Sequence, residues 1–316
     1  MPDLSIVIPT IGRDAEFRRV LEGLVTQDVH EFELVVVCSS IHPDPAAVEA
    51  AVAGLPFPTR VVRSTRFGAS ASRNTGIDAA HGPLLLFLDD DVVPRPELVR
   101  EHLAWHARHP ERDVGVLGLV VWASGIRVTP FMRWLEHGIQ FDYENILGVD
   151  AGWQRFYTAN VSIKRELADA VGGFDEVRLP FGYEDLDLAK RMHDEHGFRL
   201  LFNRAAVGEH LHEITLDGWR ANAERNARGE LAFIAKHPEA PAYFRDLFLA
   251  AEKRPPASGR GRYLAWVVRR PGGWLGDRVW KSADIWFRQQ LAPDFLAAWD
   301  AYAGDAAAPS EGRATR

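Results

Sequence analysis

Three consecutive carboxylates, Asp89-Asp90-Asp91, follow directly on the apolar segment Pro83-Leu84-Leu85-Leu86-Phe87-Leu88. Carboxylates this close repel one another unless a cation lies between them. In an extended segment, Asp89 and Asp91 would point to the same side. Two hard oxygen ligands suit Mg²⁺ or Mn²⁺, which usually keep waters and also bind substrate phosphates. The run therefore predicts a divalent-metal site, and the alternative is a solvated acidic turn.

Two further groups have side chains that could do chemistry. Glu184-Asp185 begins a predicted helix, where a carboxylate is favoured as a cap of the exposed N–H groups. We expect Asp187 to be a surface residue of the first turn of this helix. His210 and His212 alternate on a predicted strand end and therefore share a face.

The first ninety residues alternate strand and helix patterns, which would bring such groups together. Strands that are apolar on both faces and separated by helices indicate a parallel sheet covered on both sides. Ligands of these sheets bind beyond the carboxyl ends of the strands. The polar segments predicted at those ends are Pro9-Thr10, Cys38-Ser39-Ser40 and Asp89-Asp90-Asp91.

The composition excludes several classes of protein. The 316 residues carry 37 Lys and Arg against 44 Asp and Glu, a net charge of −7, so a whole-chain basic surface for nucleic acid is absent. The single cysteine, Cys38, excludes an intrachain disulfide framework and a cysteine-based zinc site. We see no secretory signal, and the longest apolar stretch, Val114 to Ala123, is shorter than the about 20 residues of a membrane span. We expect a cytoplasmic protein.

The rest of the chain shows a less regular pattern. A strand is predicted at Val114 to Val121, and short strands at Leu200–Phe202 and Ala205–Val207. Residues 123–158 are rich in aromatic residues and glycine and show no clear period. From about residue 216 the pattern is helical, and the last dozen residues are expected to form a disordered tail.

Several segments in register resemble family 2 glycosyltransferases over residues 4 to about 236. They are similar to the opening strand and turn, the Gly-x-x-x-x-Arg-Asn-x-Gly segment, the Asp-x-Asp motif, two acceptor-side motifs and a late histidine of that family. The matching segments are Ile8-Pro9-Thr10-Ile11-Gly12-Arg13, Gly68-Ala69-Ser70-Ala71-Ser72-Arg73-Asn74-Thr75-Gly76, Phe87-Leu88-Asp89-Asp90-Asp91 with Pro94, Gly172-Gly173-Phe174-Asp175-Glu176, Gly182-Tyr183-Glu184-Asp185-Leu186 and His210-Leu211-His212.

The resemblance implies the GT-A fold, an α/β fold with a Rossmann-like, mostly parallel central sheet flanked by helices. The expected GT-A domain covers residues 1–236, with a nucleotide-binding half at 1–110 and an acceptor half at 111–215. A helical C-terminal extension with a disordered tail is expected over residues 237–316.

The resemblance also implies a metal-dependent transfer of a sugar from a nucleotide-diphosphate sugar to an acceptor hydroxyl. The acceptor would be a saccharide, a lipid-linked molecule or a small molecule, as in cell-envelope or polysaccharide biosynthesis. Mn²⁺ or Mg²⁺ would bridge the phosphates and stabilise the departing nucleoside diphosphate. The implied ligands are Asp91, Asp89 and His212, with His210 as the alternative. The implied donor-binding residues are Pro9, Thr10, Arg13, Arg73, Asn74, Asp89, Asp90, Asn160 and Gly173.

The implied general base is Asp185, with Glu184 orienting the acceptor. It would remove the proton of the acceptor hydroxyl as that oxygen attacks the anomeric carbon from the face opposite the leaving group. A positioned carboxylate typically contributes ~10²–10⁴-fold to such a step. Inversion of the anomeric centre follows from the family alone.

One position departs from the family pattern and leaves rival functions open. Many members carry an acidic residue after the second strand, which recognises the nucleotide base, whereas Cys38 stands there in this chain. UDP, GDP and dTDP sugars are therefore all candidate donors. The rivals are a nucleotidyltransferase, which the single glycine of residues 9–13 disfavours, and a non-catalytic nucleotide-sugar-binding protein, which the retained carboxylates disfavour.

A basic segment lies near the C-terminus. Residues 253–289 carry nine Lys and Arg against two acidic residues, a local charge of 9 − 2 = +7. One helical stripe is formed by Trp280, Ala283, Phe287 and Leu291. A basic, tryptophan-rich helix can lie in a membrane interface, which would place residues 253–291 at the inner face of the membrane. The alternative is a helical extension that packs on the catalytic domain or on a second copy of the chain in a homo-oligomer.

Overall fold

The structure, a computed structural model, describes residues 2–137, 140, 142–256 and 273–307, with the side chains of the last segment described over 280–304. The chain divides into two compact units. The first comprises Met1–Val128 and Leu135–Glu213, and the second comprises Thr129–Trp134 and Ile214–Arg316. The expected assignment of residues 1–236 to one catalytic domain stays a prediction.

An eight-stranded mixed sheet forms the centre of the first unit. Its strands are β1 (Leu4–Thr10), β2 (Phe32–Cys38), β3 (Thr59–Arg63), β4 (Leu84–Leu88), β5 (Val92–Pro94), β6 (Val114–Trp122), β7 (Asn160–Lys164) and β8 (Arg199–His210). Their order is β3-β2-β1-β4-β7-β6-β8-β5. Four pairings are parallel and three are antiparallel, so the polar segments after β1, β2 and β4 meet at one edge, as the sequence predicts.

Helices separate the strands of the first unit, and their apolar faces explain the sequence pattern. Phe17, Val20, Leu21 and Leu24 recur three or four residues apart and are buried. The strands β1 and β2 are buried along nearly their whole length. The helices of this unit are α1 (Asp14–Val25), α2 (Pro45–Val52), α3 (Ala69–Ala79), α4 (Leu98–Arg108), α6 (Arg165–Ala170) and α7 (Glu184–His196), with a short 3-10 helix at Trp153–Arg155.

The prediction of two short strands, Leu200–Phe202 and Ala205–Val207, is wrong in detail, because both segments belong to the single strand β8. The pairing of β8 with β6 shifts register between Gly118 and Leu119. Such a bulge inserts extra residues and disturbs the inward and outward alternation of side chains. Arg204 and Ala205 are exposed there, which explains the break in the apolar pattern.

The second unit is helical, which confirms the expectation from residue 216 onward. Its helices are α5 (Pro130–Leu135), α8 (Leu216–Ala221), α9 (Ala223–Lys236), α10 (Tyr243–Glu252) and α11 (Gly273–Ala307). An aromatic core fills this unit. Phe248 and Phe295 are fully buried with their ring centroids 5.1 Å apart, and Trp219 packs edge-on against Phe248 at 5.8 Å.

The described part of the C-terminal stripe is mostly buried. Ala283, Phe287 and Leu291 are each at most 5% exposed, and the Phe287 ring lies 5.1 Å from Trp134 within the second unit. This packing favours a docked helical extension, and contact with a membrane stays a prediction. Residues 257–272 of the basic segment and the tail from residue 308 lie outside the described residues. None of the described helices combines the length and apolarity that crossing a bilayer requires.

The close approach of α3 to the sheet at Gly76 gives a test of the fold. A Cβ atom on Gly76 would stand 2.3 Å from Cγ1 of Val7 and 3.1 Å from Cγ2 of Val37. In Gly76→Ala, separation of helix and sheet should cost about 1–3 kcal/mol, and alanine should recover ~1 kcal/mol through helix propensity. The free energy of unfolding, measured by denaturant titration, should therefore fall by up to about 2 kcal/mol. Gly148→Ala, with open space around it, is the control. Equal stability of both variants would contradict the close approach.

Candidate active site

The acidic run forms a turn, and the expectation of an extended segment is wrong. Strand β4 ends at Leu88, and the backbone N–H of Val92 donates to the carbonyl of Asp89 at 3.1 Å. Asp89 is partly exposed, whereas Asp90 and Asp91 are only 1% and 2% exposed. Two of the three carboxylates are therefore held out of water at the carboxyl edge of the sheet.

The turn after β1 supplies partners for the two buried carboxylates. Arg13 forms ion pairs with both, through Nε to Oδ1 of Asp90 at 3.2 Å and through Nη1 to Oδ2 of Asp91. The Thr10 hydroxyl hydrogen-bonds to Asp90. Oδ2 of Asp90 is buried and has no hydrogen-bond partner among the described residues. Burial raises the pKa of Asp90 to about 7, and burial with the nearby charge of Asp89 raises the pKa of Asp91. The single positive charge of Arg13 therefore does not balance the carboxylates of this turn.

The turn and one histidine fit a divalent cation. His210 places Nε2 3.9 Å from Oδ1 of Asp91, and its Nδ1–H donates to the carbonyl of His212 at 3.1 Å. Burial lowers the pKa of His210, which keeps the imidazole neutral, and a neutral ring oriented through Nδ1 can ligate a metal through Nε2. The side chain of His212 is exposed. His210 is thus the buried histidine beside Asp91, while the charge of His212 also acts on Asp91, and which of the two would ligate a metal stays a prediction.

The side chains that could ligate a metal around Asp91 would need further ligands to complete a site. Among residues 2–137, 140, 142–256 and the described part of α11, no group of three His, Cys, Asp or Glu could hold a metal on its own. Mg²⁺ and Mn²⁺ sites commonly use one or two carboxylates with waters and substrate phosphates. The arrangement around Asp91 is of that incomplete kind, and the role of each ligand stays a prediction.

Arg73 of α3 connects the acidic turn to the second acidic pair. Its Nη1 donates to Oε1 of Glu184 at 2.8 Å, and its Nη2 lies 3.5 Å from Oδ1 of Asp89. The side chain is buried, and its guanidinium lies 5.7 Å from the centroid of the Phe174 ring. The sequence predicts contact of Arg73 with a nucleotide, whereas its observed partners are carboxylates from β4 and α7.

The pair Glu184-Asp185 opens α7 after a strained residue. Tyr183 has φ 64°, the left-handed conformation that costs energy for a residue with a Cβ atom. Oδ1 of Asp185 accepts the backbone N–H of Leu186 at 2.8 Å. Burial and the charge of Glu184 raise the pKa of Asp185 to about 7, while the charge of Arg73 acts in the opposite direction. A carboxylate with this pKa can accept a proton near neutral pH.

Asp187 is buried, and its expected place on the surface is wrong. It is 0% exposed, and its Oδ2 accepts Nε–H of Arg191 at 2.9 Å. Arg191 also donates to the carbonyls of Val171 and Gly173 at 2.5 and 2.6 Å. Helix α7 therefore holds in place the loop of residues 171–176, the glycine loop, which precedes it. Arg191 was not among the residues predicted from the sequence, although its four-residue spacing from Asp187 is a signal for a helical ion pair.

Asn74 fixes the same loop from the side of α3. Its Oδ1 accepts the N–H of Phe174 at 2.9 Å, and its Nδ2 donates to the carbonyl of Phe174 at 2.9 Å and to Oε1 of Glu176 at 2.7 Å. Gly173 has φ 68°, and a Cβ atom there would stand 2.6 Å from Oδ1 of Asn74. These contacts are structural, and the predicted donor contacts of Asn74 and Gly173 find no separate support in them.

Asn160 lies inside the sheet. It is 0% exposed, its Oδ1 accepts Nε2–H of His102 at 2.9 Å, and its Nδ2 donates to the carbonyls of Ala206 and Leu119 at 2.9 and 3.3 Å. The side chain thus satisfies the backbone of the β8 bulge. Its predicted contact with a sugar has no support in these bonds. The flanking apolar residues of β7 are the sequence signal for such a buried position.

The turns after β1 and β2 meet at the same edge. The N–H of Ser39 donates to the carbonyl of Thr10 at 3.0 Å, and Pro9 pairs with Val37 in the parallel ladder. Cys38 is 1% exposed, in line with its expected role as a small buried residue. The structure therefore brings Pro9, Thr10 and Arg13 to the acidic turn and places Asn160 within the sheet.

Comparison with known proteins shows similarity along most of the chain. A family model described as "Glycosyl transferase family 2" matches residues 5–210. Validoxylamine A glucosyltransferase of Streptomyces hygroscopicus subsp. limoneus is 28% identical in an alignment that is 321 positions long and covers 88% of this chain and 67% of that protein. The protein of the same name from Streptomyces hygroscopicus subsp. jinggangensis is also 28% identical, over 88% of this chain and 72% of its own.

Solved structures show the same fold. A mannosyltransferase of Pyrobaculum calidifontis, in complex with GDP-Man and Mn²⁺, superposes with a TM-score of 0.57 at 20% identity, over 98% of this chain and 77% of that one. Residues 1–349 of S. aureus TarS, in complex with UDP-GlcNAc, superpose with a TM-score of 0.51 at 15% identity, over 96% and 92% of the two chains. The GT-A fold predicted from the motifs is confirmed.

The hydrogen bonds of Asn74 predict the exchange behaviour of the glycine loop. Asn74→Ala removes the acceptor of the Phe174 N–H, so amide hydrogen exchange at Phe174 should become faster and residues 171–176 should lose protection. The measurement is hydrogen–deuterium exchange with mass spectrometry. Asn145→Ala, which removes an exposed amide that donates to Asp142, should leave the loop unchanged. Unaltered exchange in the Asn74 variant would show that the loop is held without it.

Proposed function

The chain belongs to glycosyl transferase family 2, and from this membership we propose that it transfers a hexosyl or related sugar from a nucleotide-diphosphate sugar to an acceptor hydroxyl, with inversion and a divalent metal. One observation carries the proposal. Arg73 contacts both Asp89, in the carboxylate turn after β4, and Glu184, in the carboxylate pair at the start of α7. This proximity supports a donor site that lies beside a proton acceptor.

On the donor side, the turn after β1 and the acidic turn would form the walls of the site. Arg13 and Thr10 keep the carboxylates of Asp90 and Asp91 in place. Asp91 and Asp89, with His210, would hold Mn²⁺ or Mg²⁺. The ion supplies, when bound, Lewis-acid stabilisation of the negative charge on the departing nucleoside diphosphate.

On the acceptor side, Asp185 would act as the general base, with Glu184 orienting the acceptor. The carboxylate of Asp185 takes the hydroxyl proton while the acceptor oxygen forms a bond to the anomeric carbon. The bond from that carbon to the diphosphate oxygen breaks, and its electron pair leaves with the nucleoside diphosphate. Attack from the opposite face inverts the anomeric centre.

The relatives define which donors to try first. Two similar proteins are named glucosyltransferases, and the two solved structures contain GDP-Man and UDP-GlcNAc. UDP-glucose, GDP-mannose and UDP-GlcNAc therefore form the initial panel. Cys38, in place of an acidic residue, leaves the nucleobase to be decided by that experiment.

A thermal-shift panel tests the donor site. One nucleotide sugar should raise the melting temperature only in the presence of Mn²⁺, since a ligand at ~100 times its Kd adds about 2.7 kcal/mol to stability. Asp91→Asn should abolish the Mn²⁺-dependent part, whereas Asp78→Asn, at an exposed position of α3, should retain it. If no donor in the panel or dTDP-glucose shifts the melting temperature with Mn²⁺ present, the proposed donor site is wrong.

Asp185→Asn tests the general base. Turnover, measured as release of nucleoside diphosphate, should fall by about 10²–10⁴-fold while donor binding persists. In the unmodified protein the rate should fall as pH decreases through about 7, because burial raises the pKa of Asp185 and the protonated acid cannot accept a proton. Asp78→Asn serves as the matched control. Retention of the full rate in Asp185→Asn would eliminate this residue as the base.

A further inference from the structure

We infer that Arg73 is a positioning residue that ties the carboxylate of Asp89 to the pair Glu184-Asp185 and keeps Asp185 ionised for proton removal. The inference rests on the proposed function of Asp185 and gives Arg73 a role other than the nucleotide contact that the family resemblance implies. It depends on the arrangement of one buried cation among three carboxylates.

The contacts of Arg73 use both ends of its guanidinium. Nη1 is 2.8 Å from Oε1 of Glu184, and Nη2 is 3.5 Å from Oδ1 of Asp89. The side chains of Arg73 and Glu184 are 8% and 10% exposed, against 34% for Asp89. The fork of donors in an arginine suits two carboxylates at once, which a lysine cannot match geometrically. Residues from α3, α7 and the end of β4 are thereby joined.

The guanidinium of Arg73 packs over an aromatic ring. It lies 5.7 Å from the centroid of Phe174, a distance at which a cation and an aromatic face attract each other. The Phe174 ring packs edge-on against Phe87 of β4, with the ring centroids 5.5 Å apart. The backbone N–H and the carbonyl of Phe174 both hydrogen-bond to the side chain of Asn74. Arg73 is therefore held between the sheet and α7, and this support opposes its rotation toward a nucleotide.

The charges around Asp185 explain what this cation does. Glu184, adjacent on α7, and burial both disfavour the ionised form of Asp185, whereas Arg73 from α3 favours it. The phenol of Tyr157 lies near enough to interact with this carboxylate, and it stays neutral because burial raises its pKa well above the ordinary value. Without Arg73, two carboxylates would share a buried site with no cation beside them, and neighbouring carboxylates of this kind do not both ionise readily. Asp185 would then hold its proton at neutral pH.

Direct titration of Asp185 tests the inference without any ligand. In protein labelled with ¹³C at the aspartate carboxyl carbon, the Asp185 resonance is the one absent from Asp185→Asn. Its pKa should rise by about one unit or more in Arg73→Met, because Arg73 is bonded to the adjacent Glu184 and its charge favours the ionised form of Asp185. A nearby opposite charge typically changes a pKa by 1–3 units. At pH 7 this rise lowers the ionised fraction at least about fivefold. The pKa should fall in Glu184→Gln and stay near the original value in Arg73→Lys.

Two comparisons separate charge from damage to the fold. Arg63→Met removes a positive charge at an exposed position of β3 and should leave the titration unchanged. The double variant Arg73→Met/Glu184→Gln leaves neither partner of the bridge charged, so it should fold even if Arg73→Met does not. Its Asp185 pKa should lie above that of Glu184→Gln alone. Equal values in these two variants would overturn the inference.

Kinetics distinguish this inference from the proposed function. The pH at which the rate falls should shift upward in Arg73→Met, by about as much as the pKa of Asp185 rises in the ¹³C titration. Weakened donor binding with an unshifted pH profile would assign Arg73 to the nucleotide instead. If Asp185→Asn remains fully active, the proposed base fails, whereas a shifted ¹³C titration would still establish the charge coupling.

Discussion

Buried negative charge at the carboxyl edge of the sheet is the constraint on which the site depends. Five carboxylates converge there, Asp89, Asp90, Asp91, Glu184 and Asp185. Two guanidiniums, those of Arg13 and Arg73, pair with four of them. Burial, with the charges of neighbouring carboxylates, raises the pKa values of Asp90 and Asp185 to about 7. The proposals of a divalent cation and of a proton acceptor both depend on this concentration of buried negative charge.

Much of the surrounding structure keeps these charges in register. The glycine loop is bonded to α3 through Asn74 and to α7 through Arg191. Both helices carry a residue of the site close to that anchor, Arg73 on α3 and Asp185 on α7. Residues of the family motifs thus hold the framework together, and this packing role accounts for their positions without any contact with a ligand. Gly76, tight against Val7, belongs to this group.

The helical second unit shows why an amphipathic pattern alone does not identify its partner. The stripe that includes Phe287 and Leu291 suits a membrane interface or a protein core equally well in sequence. In the structure these side chains are buried with other aromatic residues of the same unit. The spacing of apolar residues along the helix predicts which face is buried. Which residues cover that face is decided by the three-dimensional packing.

The sequence alone determined the parallel arrangement of the first strands, the helical C-terminal region, the family and the segments that make up the site. These features follow from periodicity and motifs, which involve residues close together in the chain. Tertiary structure decided which groups face each other. Arg73 and Glu184 are separated by 111 residues, so no local pattern predicts their ion pair. The burial of Asp187 and the bond of Asn160 to the bulge of β8 were decided in the same way. Burial and charge pairing arise only when distant segments come into contact.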